Sequence, residues 1–250
     1  MKKILLVGGA GYIGTVLSQH LLSKGFEVKC FDALIYSQKN CIKSFIKKKN
    51  YEFIFGDIRN HDMVKNSLKD VSTIVILAGL VGDPITKKYP KEAEEINFRG
   101  IKNLIDSCKN KNIERVLFIS TCSNYGLLKD NEMAGENHKL NPLSNYAKQK
   151  IKIENYLIAL KDRVDFSATI LRFATAFGLS PRMRFDLTIN HFTKAILEKE
   201  FLSIYDAETW RPYCHVNDFS RLIEKILLTK KEKIYFQIFN AGDNKNNFTK

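Results

Sequence analysis

The sequence predicts an α/β fold, a doubly wound parallel sheet with helices on both faces, and two observations predict it. Short apolar runs alternate with helical patterns along most of the 250 residues, which is the mark of repeated βαβ units. Glycines at 8, 11 and 14 follow the first apolar run and lead into a helical pattern, the setting in which a strand passes into a helix through a tight, ligand-cradling turn.

Taken in order, Lys3 to Val7 is the first strand. Two lysines before an apolar stretch imitate a secretory leader, but glycines interrupt the stretch at once and no small-residue cleavage site follows. Glu27 to Phe31, Tyr51 to Phe55, Thr73 to Leu77, Arg115 to Ser120 and Phe166 to Leu171 are further strands. Their interiors are nearly all apolar, as expected of strands covered on both faces. Gly25 stops the first helix, Asn60 caps a helix from His61 to Leu68, and Pro90 opens a long helical segment to about Lys109. Beyond about Ser180 the alternation loosens. A helix is expected near Phe185 to Lys199, a strand near Leu202 to Tyr205, a helix near Asp218 to Leu228 and a strand near Tyr235 to Phe239.

Composition narrows the setting. Hydrophobic residues make up 44% of the chain and the net charge is +13, yet no apolar run approaches the ~20 residues that span a bilayer. The lysines are scattered, and no arginine-rich or aromatic-interleaved tract marks a nucleic-acid surface. Five widely spaced cysteines without a Cys-x-x-Cys pair argue against zinc or any other metal site and against a disulfide framework. Free thiols in a reducing cytoplasm are expected.

The glycine turn has a physical logic. One glycine permits the turn, one lets the backbone approach a pyrophosphate, and one allows helix to pack closely on strand, while the helix opening at Tyr12 and Ile13 presents its N-terminus to the phosphates. Asp32, at the end of the second strand, is placed to accept hydrogen bonds from an adenosine ribose and to repel a 2′-phosphate. No arginine lies near it in the sequence, so NAD is expected over NADP. The fold class is thus a Rossmann-type sheet.

Tyr146 and Lys150 stand four residues apart. On a helix they share a face, and an ammonium beside a phenol favours phenolate and lowers the tyrosine pKa from about 10. Such a tyrosine exchanges protons with a sugar hydroxyl or ketone.

The glycine pattern, Asp32, Gly56-Asp57-Ile58-Arg59, Ser120-Thr121-Cys122-Ser123-Asn124-Tyr125-Gly126 and Tyr146 to Lys150 follow one another in an order that resembles the extended short-chain dehydrogenase/reductases, the NAD-dependent epimerase/dehydratase family acting on nucleotide sugars. The resemblance implies that Asp57 and Ile58 meet the adenine and that Leu77, Ala78 and Gly79 line the cofactor cleft, with Asn97 supporting it. It implies that Thr121 hydrogen-bonds the reacting sugar oxygen, that Tyr146 is the acid/base, and that Lys150 also holds the nicotinamide ribose. Arg211 matches an arginine that binds the substrate diphosphate, and Thr175 stands where many relatives place an asparagine near those phosphates. Arg182 and Arg184 are either phosphate or hydroxyl contacts or an exposed basic loop. His215 reads as structural.

Two departures matter. Dehydratases of the family carry Asp-Glu after the catalytic threonine, and Cys122 and Ser123 stand there instead, which disfavours 4,6-dehydration. Relatives also continue for several dozen residues past Asn240-Ala241-Gly242-Asp243, so a small C-terminal substrate lobe is expected, and the chain reads as a fragment, a truncated product or a true short form. The division expected is residues 1–175 for the NAD-binding domain with the catalytic residues, and 176–250 mainly for the substrate lobe, some segments returning to the first domain. The resemblance implies an epimerase working through a transient keto-sugar, oxidised at C4. It leaves open a dehydrogenase or reductase with net redox change and a non-catalytic NAD-binding protein. A homodimer and a nucleotide-diphosphate sugar substrate are implied, with no nucleic acid or membrane partner.

Overall fold

The structure, a computed structural model, describes residues 3–128 and 132–250. The chain begins β1 (Lys3–Val7), α1 (Tyr12–Ser23), β2 (Val28–Asp32), α2 (Lys43–Ile46), β3 (Tyr51–Phe55), α3 (His61–Ser67) and β4 (Val71–Ile76). It continues through α4 (Asp83–Lys88), α5 (Pro90–Glu94), a π-helical turn (Glu95–Gly100), α6 (Ile101–Cys108), β5 (Arg115–Thr121), α7 (Asn145–Ala159) and β6 (Ser167–Phe173). Then come β7 (Thr175–Phe177), α8 (Thr188–Glu198), β8 (Arg211–His215), α9 (Val216–Leu228), α10 (Lys231–Ile234), β9 (Gln237–Ala241) and β10 (Asn247–Phe248).

Seven strands form one parallel sheet in the order β3-β2-β1-β4-β5-β6-β9. The order reverses at β1, which lies between β2 and β4, and a crevice opens beyond the carboxyl ends of the strands at such a reversal. Side chains alternate across each strand. Ile4 and Leu6 therefore join one core with Leu17, Leu21, Phe219 and Ile223 of α1 and α9, whereas Leu5 and Val7 join the other with Val64, Leu104, Ile153 and Leu157 of α3, α6 and α7. This two-sided burial explains why the strands lack a polar face in the sequence. Asn60 caps α3, its Oδ1 accepting from Met63 N at 3.0 Å.

The expected strand at Leu202 to Tyr205 is absent. That stretch is irregular, with Phe201 93% exposed and Tyr205 78% exposed, because a strand-forming composition without a neighbouring strand has no ladder to join. A three-stranded sheet, β10-β8-β7, is built instead from Arg211–His215, parallel to Thr175–Phe177 and antiparallel to Asn247–Phe248. The last strand of the main sheet is shifted two residues from the expected Tyr235 to Phe239, following a left-handed turn at Phe236. The long helix from Pro90 is interrupted by the π-helical turn, a distortion that inserts one residue and re-aims those around it.

Candidate active site

The glycine turn sits where β1 meets α1. Gly8 has φ +82°, and a Cβ there would lie 2.7 Å from the Ala78 backbone; on Gly14 it would lie 2.7 Å from the backbone of Gly8 and Gly9. Only glycine lets these segments touch. Among the described residues no side chain caps the α1 N-terminus at Gly11, so the first N–H groups, those of Tyr12 and Ile13 included, face the crevice without helical partners. Asp32 accepts from Ala10 N at 3.0 Å, Leu34 N at 2.8 Å and Gln38 Nε2 at 3.3 Å. Burial pushes its carboxyl up, opposed by the Leu34 and Ala10 amides and the Arg182 guanidinium. The cradle, the helix end and the held carboxylate fit a dinucleotide pyrophosphate and ribose.

Leu77, Ala78 and Gly79 leave β4 beside this turn. Asn97, fully buried in the π-helical turn, holds the next residue from both sides: its Oδ1 accepts from Leu80 N at 2.7 Å and its Nδ2 donates to Leu80 O at 3.0 Å. Nδ2 also donates to Gln149 Oε1 at 2.9 Å. Asn97 thus shapes the crevice by fixing the β4 exit to α7. Ile58 is buried against Gly100, and Asp57 is engaged by Arg59, whose Nη2 lies 2.5 Å from Oδ2.

Thr121 ends β5, its Oγ1 accepting from Ser123 N at 3.1 Å. Ser144 caps α7 by accepting from Ala147 N at 3.2 Å, which starts the helix in register to bring Tyr146 and Lys150 to one face. Lys150 is buried. Its Nζ donates to Ile119 O at 2.7 Å and lies 4.6 Å from the Phe118 ring centroid and 5.7 Å from that of Tyr146.

The expected lowering of the Tyr146 pKa by Lys150 is not what the protein's own groups produce. Burial pushes the phenol up, Cys122 and Asp83 push the same way, and the cation that pulls it down is Arg184. Burial pulls Lys150 itself down to about 7, against the opposing pull of the Glu154 carboxylate. The helical spacing was sound, but it carries no information about how dry the site is.

Behind this set lies a network the sequence reading did not single out. Glu154, one helical turn beyond Lys150 and buried, accepts from Ser120 Oγ at 2.5 Å, Asn124 Nδ2 at 2.7 Å and Arg172 Nη2 at 2.7 Å. Arg172 Nη1 donates to Tyr125 Oη and to Glu136 O, each at 2.9 Å. The signal available was the four-residue step from Lys150 to Glu154 on one helix face.

The arginines expected on the substrate side separate. Arg211, on β8, lies within electrostatic range of Cys122 and pulls its thiol pKa down against burial. Arg184 pairs with Asp186 through Nη2 and Oδ2 at 2.5 Å, approaches Gly82 and lies within electrostatic range of Tyr146. Arg182 stacks on the Tyr36 ring, 4.4 Å from its centroid, with Asp32 in electrostatic range. An arginine therefore does stand near Asp32, contrary to the sequence expectation, because the loop after β7 folds back across more than a hundred residues of chain. Thr175 is the first residue of β7, paired with Tyr213. His215 caps α9, its Nδ1 accepting from Asn217 N at 3.2 Å, and leaves no room for a Cβ on Gly178.

The NAD dependent epimerase/dehydratase family model matches residues 4–242. The chain is 28% identical to Protein CapI of Staphylococcus aureus, over 97% of this chain and 78% of that protein. It is similar in structure, with a TM-score of 0.88 and 28% identity over 97% of this chain and 78% of the other, to UDP-glucuronic acid 4-epimerase from Bacillus cereus in complex with UDP-glucuronic acid and NAD. A dTDP-glucose 4,6-dehydratase from Bacillus anthracis in complex with NAD gives a TM-score of 0.86 at 26% identity, over 100% of this chain and 77% of that one. A match along nearly the whole chain, on a sheet of this order with a dinucleotide cradle at its reversal, makes the protein a member of the NAD dependent epimerase/dehydratase family, an NAD-dependent extended short-chain dehydrogenase/reductase.

Proposed function

We propose that the protein is a nucleotide-sugar epimerase that oxidises a sugar carbon, C4 by the likeness to the Bacillus cereus enzyme, and reduces it again on the opposite face. What supports this reading is Tyr146 and Lys150 on one face of α7 with Thr121 at the carboxyl end of β5, followed in the sequence by Cys122 and Ser123 in place of an acid pair. Bound in the cradle of Gly8, Gly11 and Gly14 with Asp32, NAD would supply the hydride acceptor and, once reduced, the hydride donor for the sugar carbon. Tyr146 removes the hydroxyl proton and gives it back, and Thr121 donates a hydrogen bond to the reacting oxygen. Arg184 supplies the positive field that the phenolate needs, and Lys150, on the same face of α7 as Tyr146, holds the nicotinamide ribose in this reading. Arg211, within electrostatic range of Cys122, binds the diphosphate in this reading, for which a fork of donors is suited.

Cys122 and Ser123 also bear on the rival chemistry. Burial pushes the Cys122 thiol up, and a neutral thiol beside a hydroxyl is a poor acid and base for expelling a sugar hydroxyl. The domain division at about residue 175 belongs to the same reading: β7, α8 and β8 form the substrate side, while α9 and β9 return to the first core and the main sheet. A homodimer through the α5–α6 and α7 faces accompanies it, to be checked by light scattering.

The test is to mix protein and NAD with UDP-, GDP-, CDP- and dTDP-sugars, following nicotinamide absorbance, with products identified by mass and NMR. An inverted sugar of unchanged mass with no net reduced cofactor is the expected result. Net NADH with a keto or acid product would make the protein a dehydrogenase, and loss of water would make it a dehydratase.

A further inference from the structure

Arg182 has no role in the chemistry above, and its setting points away from the sugar. The segment 178–184 leaves β7 and crosses to the dinucleotide crevice, where it is tied down on both sides of Asp32. On the α1 side, Tyr12 Oη donates to Gly178 O at 2.6 Å, Ser180 Oγ donates to Tyr12 O at 2.7 Å, and Ser180 Oγ lies 3.0 Å from Thr15 Oγ1. Asn190 braces the same corner, its Nδ2 donating to Tyr12 Oη at 3.1 Å and its Oδ1 accepting from Gly178 N at 2.9 Å. Beyond β2, Cys41 Sγ donates to Pro181 O at 3.1 Å and Arg182 lies on the Tyr36 ring.

The two anchorages make the segment a band across the outer end of β1 and β2, over the place where Asp32 and the α1 N-terminus mark the adenylate half of a dinucleotide. Among the described residues Arg182 forms no salt bridge, whereas Arg184, two residues on, is held by Asp186. Stacking on Tyr36 leaves the edge of the Arg182 guanidinium, with its fork of N–H donors, free for phosphate or ribose oxygens. Asp32 in range adds a fixed anion that orients it.

We propose that residues 178–184 form a strap that retains the cofactor, with Arg182, clasped on Tyr36, binding the adenylate half of NAD rather than the sugar nucleotide. The inference rests on the NAD reading of the crevice. An epimerase must keep its reduced cofactor between two hydride transfers, so a strap anchored to the cofactor domain on both flanks serves that cycle directly.

The test measures NAD affinity and dissociation in wild type, Arg182→Ala, Tyr36→Leu and the double variant by calorimetry and stopped-flow fluorescence, with no sugar present. Thermal melts check that each variant folds. Arg182→Ala is expected to weaken NAD binding about tenfold, mostly through faster release, as loss of one charge-assisted contact does. The double variant is expected to lose little more than either single one, because the two side chains act as a unit. Unchanged NAD affinity in folded Arg182→Ala, or strictly additive effects in the double variant, would overturn the proposal. A raised KM for the sugar nucleotide at unchanged NAD affinity would return Arg182 to the substrate side. Failure of the wild-type protein to take up NAD would remove the cofactor reading as well.

Discussion

Lys150 illustrates how a residue needed for chemistry burdens the fold that holds it. Its pKa in the native protein is about 7, against an ordinary value of 10.5. Between those two values the unfolded chain holds a proton that the native chain releases, so stability rises with pH across that window; below about 7 the cost of burying the ammonium is fully present. Lys150→Met should therefore melt several degrees higher than wild type near pH 6, at about 2–4 °C per kcal/mol for a chain of this size, with the advantage fading toward pH 10.5. Turnover in that variant should fall by orders of magnitude; a melting point unchanged at pH 6 would contradict the buried charge. Tyr146→Phe is expected to bind NAD normally and to lose turnover by orders of magnitude, and near-normal turnover would remove Tyr146 from its role. At this scale the sequence showed which side chains share a helix face, since four-residue spacing is local. It could not show that the cation pulling the Tyr146 phenol down is Arg184, because that depends on how a distant loop folds back.

At the scale of elements, α7 and β6 are joined through the Glu154–Arg172 pair, which also reaches β5 through Ser120. Glu154→Ala strands a buried guanidinium and is expected to cost about 3–5 kcal/mol, seen as a lower urea midpoint at unchanged slope. Glu154→Met combined with Arg172→Met leaves neither charge unpaired and should recover most of that loss; a double variant as unstable as the single one would show that the individual hydrogen bonds, and not the charge balance, hold the elements together. The strands of the main sheet were legible because burial on both faces leaves continuous apolar runs. The small sheet was not. β8 reads Arg-Pro-Tyr-Cys-His, a composition without strand periodicity, and it pairs only because β7 and β10 lie beside it. Leu202 to Tyr205 failed for the converse reason, a strand-like composition without neighbours.

For the molecule as a whole, a net charge of +13 sets up a long-range field that attracts a doubly charged diphosphate before any contact forms. The value of kcat/KM for a nucleotide sugar is accordingly expected to fall several-fold between 0.05 and 0.5 M salt, as screening shortens the reach of that field, while kcat stays nearly constant; a salt-independent kcat/KM would confine the charge to a solvating role. The fold class was legible at this scale because alternation along the chain and the glycine turn agree on it.

The placement of β9 also bears on how the molecule comes into being. β6 receives its second neighbour from residues 237–241, so a chain emerging from the ribosome carries β6 as an unpaired parallel edge until those residues have been made. An open edge of apolar residues is a template for another nascent chain. Efficient production of this protein therefore depends on shielding that edge in the interval between synthesis of β6 and synthesis of β9, and slowed elongation over that interval would show itself as aggregation before any loss of stability in the folded molecule.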